Sequence, residues 1–184
     1  MVNTDEDLIR MWKAVNELAF NKIYEKYKDI ALRTAWLLCK NDADSEDIVQ
    51  ETFVLCYMHI DELKDETNFK AWMLKILVRN GWKTVKKARR EIPEEETVSS
   101  KWNRGVENKE PLEQALKQEK AQSIVNAIKY LSEKHRTIIV LYYYNDLSVK
   151  EIAKITGCLE GTVKSRLYFA RKQLRKILEK EGYE

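Results

Sequence analysis

The chain has 184 residues, 44% of them hydrophobic, with 5 glycines, 2 prolines and a formal net charge of +3. That length allows one domain or two small ones. The scarcity of Gly and Pro, the abundance of helix formers and the lack of a long alternating β pattern point to an all-α protein, most economically two small helical domains joined by a flexible linker. The polar, acidic start MVNTDEDLIR is unlike a secretory signal, and apolar runs such as Ile138 to Tyr144 fall far short of the ~20 residues needed to cross a bilayer. A cytoplasmic chain with no direct membrane insertion is expected.

Taken in order, Thr4 with Asp7 at the third position forms the start signal of a first helix, and Leu8, Trp12, Val15 and Ala19 follow at helical spacing. Phe20, Tyr24, Tyr27, Ala31 and Leu38 carry the pattern through a second helix that breaks near Lys40 to Asp42. A third runs from about Asp44 to His59, with Ile48, Thr52, Phe53 and Cys56 inward and Asp44, Asp47, Gln50 and Glu51 outward. That outward face is anionic, either as a solvated surface or as a dock for a basic partner. Residues 60–68 read as a loop, with Asn68 as the cap of a fourth helix that buries Phe69, Trp72, Met73, Ile76 and Leu77. Downstream this helix turns cationic through Lys75, Arg79, Lys83, Lys86, Lys87, Arg89 and Arg90, and Trp82 interrupts the run either to stack a base or to pack.

Residues 92–111, IPEEETVSSKWNRGVENKEP, lose the periodicity and hold both prolines, as a linker would. The domains are therefore drawn at 1–91 and 112–184. Roughly 20 extended residues at ~3.3 Å each span about 65 Å, enough to let two reading heads sit well apart on one duplex. Leu112 to Leu131 and Ser132 to Tyr144 then form two amphipathic helices, with Ile124, Ile128 and Leu131 facing Ile138, Leu141 and Tyr142.

The last stretch is the most informative. Ser148 with Glu151 makes a capping box, Gly157 ends a short helix from Val149 to Thr156, and a second helix from about Gly161 buries Val163, Leu167, Ala170, Leu174 and Ile177. Between Gly161 and Leu178 there is no Asp or Glu against Lys164, Arg166, Arg171, Lys172, Arg175 and Lys176. Two helices joined by a glycine turn, the second basic, match a helix-turn-helix that lays its second helix in the major groove. Thr162, Lys164, Ser165, Arg166 and Tyr168 would then face base edges, while Arg171, Lys172 and Arg175 would bind phosphates. The three cysteines, Cys39, Cys56 and Cys158, read as free thiols. Cys56 and His59 share a helix face, but no second pair completes a metal set, so no metal or cofactor is expected.

The motifs resemble those of the extracytoplasmic-function sigma factors of the sigma-70 family over nearly the whole chain. DADSEDIVQETF, Asp42 to Phe53, is similar to region 2.2, which implies that Asp44, Asp47, Gln50, Glu51 and Phe53 bind core RNA polymerase. NFKAWMLKILVRN, Asn68 to Asn80, resembles regions 2.3 and 2.4, which open the duplex and hold a flipped base of the −10 element. Trp72 and Asn80 match there, and Asp65, Glu66, Thr67 and Asn68 take the place of the specificity loop. Phe69, Lys75, Arg79, Lys83, Lys86 and Lys87 complete the implied strand-binding face. LSEKHRTIIVLYYYNDLSVKEIAKITG followed by GTVKSRLYFARKQL resembles region 4, the reader of the −35 element.

Four positions depart from the family's habit: Thr84 stands where Asp is common, Ser132 and Leu159 where Pro is common, and Phe169 where Arg is common. The resemblance implies a non-enzymatic initiation factor, probing −10 and −35 promoter DNA as part of a stress or envelope response. It also implies control by a membrane-anchored anti-sigma factor that could hold the chain at the inner face of the membrane. In the family the linker threads towards the RNA exit channel, where Glu94 to Glu96 would imitate RNA phosphates. A freestanding helix-turn-helix regulator is the alternative, and it would bind a specific duplex without polymerase.

Overall fold

The computed structural model describes residues 4–91 and 122–180, all of whose regular elements are helical. The linker, and with it Trp102 and Glu94 to Glu96, lies outside the described residues. Helix α1 (Asp5–Lys13) starts on the expected capping box, in which the Asp7 amide donates to Thr4 and the Thr4 amide donates back to the Asp7 carboxylate. It ends before the apolar spacing does. Val15 takes φ 64° and is 82% exposed, so it is not the core residue that the spacing suggested. Asn16 then caps α2 (Glu17–Cys39) by accepting the Ala19 amide. The period had run on because the apolar face of one helix continues into the next across the reversal.

Lys40 closes α2 in the left-handed region and Asn41 caps α3 (Asp42–Met58), two residues earlier than expected. Two short 3₁₀ turns, Ile60–Glu62 and Glu66–Asn68, fill the following loop. Asp65 caps the second turn by accepting the Thr67 amide at 3.1 Å, and Asn68 donates its side chain to the same carboxylate. Asn68 is therefore tied to Asp65 instead of capping α4 (Phe69–Glu91). After the linker come α5 (122–129), α6 (Glu133–Ile139), α7 (Val149–Thr156) and α8 (Glu160–Lys180). Ser132 accepts the His135 amide at the start of α6, which gives that departure from proline a local use. The end of α6 widens into a π turn over Val140–Tyr144, closed by the Asn145 amide on the Val140 carbonyl at 3.1 Å.

Helices α2, α3 and α4 pack on one another through Ile23, Ala31, Ala35, Ile48, Cys56, Met73, Leu74 and Leu77, all fully buried. In the second half Ile128 and Leu131 are inward as expected, while Ile124 is 47% exposed. The halves do not stand apart. One connected apolar cluster runs through both of them, and directional polar contacts tie them together. The Asn145 amide nitrogen donates to the Thr34 hydroxyl at 3.1 Å and to the Val140 carbonyl at 3.2 Å, with both Thr34 and Asn145 wholly buried. Lys70 Nζ donates to the Asn145 carbonyl at 2.7 Å, and Trp82 Nε1 donates to the Thr137 hydroxyl at 3.1 Å. Lys40 donates to the Lys129 carbonyl, while the Lys129 ammonium sits 4.8 Å from the Trp36 ring centroid.

Removing one partner of a buried hydrogen bond leaves the other unsatisfied, at about 1–3 kcal/mol. Thr34→Val keeps the shape and removes the hydroxyl. It should lower the thermal unfolding midpoint by about 3–8 °C, and an unchanged midpoint would mean that this contact does not hold the halves.

Candidate nucleic-acid interface

In the helix-turn-helix, the Glu151 amide donates to the Ser148 hydroxyl at 3.3 Å and the Ser148 amide donates to the Glu151 carboxylate at 2.8 Å. Those Ser148 hydrogen bonds hold the Glu151 carboxyl below the usual carboxylate range. Gly157 ends α7 at φ 66°, and because open space surrounds it, the backbone conformation alone accounts for glycine. Ile152 and Ile155 of α7 are buried, as are Val163, Leu167 and Ala170 of α8, while Leu174 and Ile177 are half-buried. The packing fixes which way α8 points its cations.

Lys164, Ser165, Tyr168, Arg171, Lys172 and Arg175 are exposed, and Thr162 is half-buried. Two of the arginines are already engaged. The Arg171 guanidinium lies 5.5 Å from the ring centroids of both Tyr142 and Tyr143, so cation–π contact holds it against the π turn. Arg166 is half-buried, with Nη1 3.8 Å from Cys158 Sγ in the turn. It lies back across the turn in place of the outward pose expected of a base reader.

On α4 and the loop before it, Asp65, Thr67, Asn68, Arg79, Lys83, Lys86 and Lys87 are exposed, and Trp72 and Lys75 are half-buried. The side chains of Arg89 and Arg90 lie outside the description. Glu66 is paired with Lys13 at 2.8 Å, and the Lys13 hydrogen bond lowers its pKa. Two expected contact residues are inside the protein. Phe69 is buried among Trp12, Tyr27 and Trp72, at ring-centroid distances of 6.0, 5.2 and 6.1 Å. Asn80 is buried and donates to the Thr52 hydroxyl at 3.3 Å, linking α4 to α3. Both therefore support the exposed face from beneath. Trp82 packs on the second half through Thr137 and is not free to stack a base in this arrangement. A crevice of 270 Å³ brings Asp65, Asn68, Trp72 and Lys75 together with Glu151, Lys154 and Ile155 of α7.

The third surface is α3. Asp47, Gln50 and Glu51 are exposed and Asp44 is half-exposed, whereas Phe53 is buried, with its ring 4.8 Å from that of Tyr24. Phe53 thus floors a groove of 770 Å³ between α2 and α3, whose walls include Phe20, Tyr24, Val54, Tyr57 and Met58. Sequence reasoning missed this groove. The available signal was the apolar trio Val54, Tyr57 and Met58 on the outward side of an acidic helix. Cys56, in contrast, is a core residue whose thiol burial pushes up to about 12, and His59 Nδ1 lies 2.9 Å from Glu62 instead of beside it. Among the described residues no cluster of three metal-ligating side chains occurs, and no helix is long and apolar enough to cross a membrane.

Sigma-70 region 2 matches residues 23–91 and sigma-70 region 4 matches residues 121–174. The first match holds most of α2 with all of α3 and α4, and the second holds the helix-turn-helix as far as Leu174 of α8. The chain belongs to the sigma-70 family and is an extracytoplasmic-function sigma factor. It is 32% identical to the RNA polymerase sigma factor SigV of Bacillus subtilis, covering 84% of this chain and 88% of that one. With the extracytoplasmic-function sigma factor SigW of the same organism it shares 29% identity, over 92% of this chain and 94% of SigW. The fold is similar to CnrH in its complex with the cytosolic domain of CnrY, with a TM-score of 0.69 and 21% identity over 96% of this chain and 98% of CnrH. It is also similar to RpoE of Bartonella quintana in complex with the anti-sigma factor NepR, with a TM-score of 0.68 and 24% identity over 87% and 96% of the two chains.

The capping box makes acid sensitivity of the helix-turn-helix calculable in sign. Because the folded-state pKa of Glu151 is lowered, its contribution is fully present above the usual carboxylate range and is lost as pH falls through the folded value. Glu151→Gln should therefore remove part of the loss of thermal stability on acidification. Identical pH profiles of the unfolding midpoint for both proteins would show that the cap carries no charge-dependent stability.

Proposed function

We propose that this sigma factor divides its work among three surfaces. Asp44, Asp47, Gln50 and Glu51 on α3, with the apolar groove beside them, bind core RNA polymerase. Asp65, Thr67, Asn68, Trp72, Lys75, Arg79, Lys83, Lys86 and Lys87 capture the −10 strand, braced from below by Phe69 and Asn80. Thr162, Lys164, Ser165, Tyr168, Arg171, Lys172 and Arg175 read the −35 duplex, with Arg166 joining once it leaves the turn. The observation that carries this division is the segregation of charge: α3 presents carboxylates beside an open apolar groove, whereas the outer side of α8 is cationic without an acid between Gly161 and Leu178. A protein partner suits the first, because burying an apolar groove drives association, and a polyanion suits the second.

The chain contributes no bond-making chemistry in this reading; positioning of polymerase and strand separation are its whole task. Control by an anti-sigma factor is supported by the complex in which the similar chain RpoE was solved with the anti-sigma factor NepR; a membrane anchor on that factor, holding a cytoplasmic sigma factor, belongs to the same proposal. A DNA strand reaching Trp72 meets Lys154 and Ile155 of α7 across the crevice, so the two halves must part before both DNA surfaces act on one promoter.

Reconstitution tests the reading directly. Core polymerase with this protein should initiate at a defined promoter, and no gain over core alone would remove the proposal. Within that system Asp47→Lys with Glu51→Lys should weaken association with core by about tenfold or more, since each reversal places like charge against a basic partner, while the thermal midpoint stays put. Parting of the halves should appear as a fall in Förster transfer between labels on α3 and α8 when core polymerase is added; unchanged transfer would rule it out.

A further inference from the structure

Phe169 is 52% exposed on α8, and neither the core nor the surfaces described above use it. Residues three and four apart are neighbours on a helix, so Thr162, Ser165, Phe169 and Lys172 form one outward row, on the side away from Val163, Leu167 and Ala170, which are buried. Its ring meets that of Tyr168 edge-on, with centroids 5.4 Å apart and planes at 79°, and Tyr168 is itself 62% exposed. An aromatic pair thus interrupts a row of hydroxyl and ammonium groups. The hydroxyls and cations around it suit base edges and phosphates, so whatever they meet, the ring meets too.

A phenyl ring offers neither donor nor acceptor to a base edge. The apolar group that the major groove presents is the C5-methyl of thymine, and aromatic or methyl-bearing side chains read it by contact. An arginine in the same place would instead fork onto guanine O6 and N7. We infer that Phe169, backed by Tyr168, reads a thymine methyl group in the −35 duplex and gives this sigma factor a thymine preference at one position. The inference rests on α8 being the duplex-reading helix, and it adds a specificity determinant to that helix which the family resemblance does not supply, because arginine is common at this place.

Burial of one methyl group is worth about 0.8 kcal/mol, or about fourfold in affinity. The test uses holoenzyme reconstituted from core polymerase and the full-length chain, which is presented with promoter duplexes randomised in the −35 element. Wild type should enrich thymine at one position, and replacing that thymine by deoxyuridine, which lacks only the methyl, should weaken binding about fourfold. Phe169→Ala should bind the thymine and uracil duplexes equally, and Phe169→Arg should move the enrichment at that position towards guanine. The inference is overturned if Phe169→Ala keeps the wild-type thymine preference and the same thymine-to-uracil ratio. It is equally overturned if that variant loses affinity for core polymerase with base preference unchanged, since the ring would then be a protein contact. Failure of the wild-type holoenzyme to enrich any −35 sequence would instead remove the role of α8 itself, a result distinct from either.

Discussion

Asn145 is the point on which the arrangement of the two halves depends. It has no exposed surface, its amide nitrogen is committed to Thr34 and to the Val140 carbonyl, and its own carbonyl receives Lys70. Apolar contact tolerates sliding, but these bonds have direction, and a buried amide that loses a partner has no water to replace it. The apolar cluster shared by the halves therefore supplies attraction, while Asn145 supplies orientation. From that orientation follow the seat of Trp82 on Thr137 and the closeness of α7 to Trp72.

Within the first half, a similar bond sets the relation between two surfaces of opposite character. Asn80 reaches from α4 to the Thr52 hydroxyl of α3, and that hydroxyl donates in turn to the Ile48 carbonyl. The seam lets an acidic helix and a helix that grows basic lie side by side with their charges turned outward. Lys83 and Glu51 approach to 3.7 Å across it, but both are exposed, so solvent screens them and their attraction does little to hold the helices together. Phe53 and Phe69 act from below the same two faces: one floors the apolar groove and the other fills the space beneath Trp72. Buried aromatics can thus shape an exposed face without being part of it.

Much of this was legible in the sequence because it is local. The Thr4 and Ser148 capping boxes, the glycine that ends α7 and the Val163, Leu167, Ala170 stripe each occupy a few neighbouring residues, and they fold as their chemistry directs. Val15 was misread because apolar spacing records which side faces a core but not where the backbone reverses. Asn68 was misread as a cap because a polar residue before an apolar run fits that role, whereas its side chain donates to the carboxylate of Asp65, which caps a short turn that ends on Asn68 itself. Asn80 looks like a contact residue in a motif and only packing reveals that it is inside, whereas the apolar spacing already turned Phe69 inward against the contact role that the motif implies. The bond between Thr34 and Asn145 links positions 111 apart and leaves no local pattern.

The π turn at the end of α6 adds a dependence of another kind. Five residues are used where an α-helix closes with four; Asn145, directly after them, is buried, and Asp146 follows at φ 55°. Deleting one residue between Val140 and Tyr144 would remove this five-residue closure and with it the seat of the Asn145 amide on the Val140 carbonyl. A related chain shortened at this site would thus lose the contact even while keeping both a threonine and an asparagine to make it.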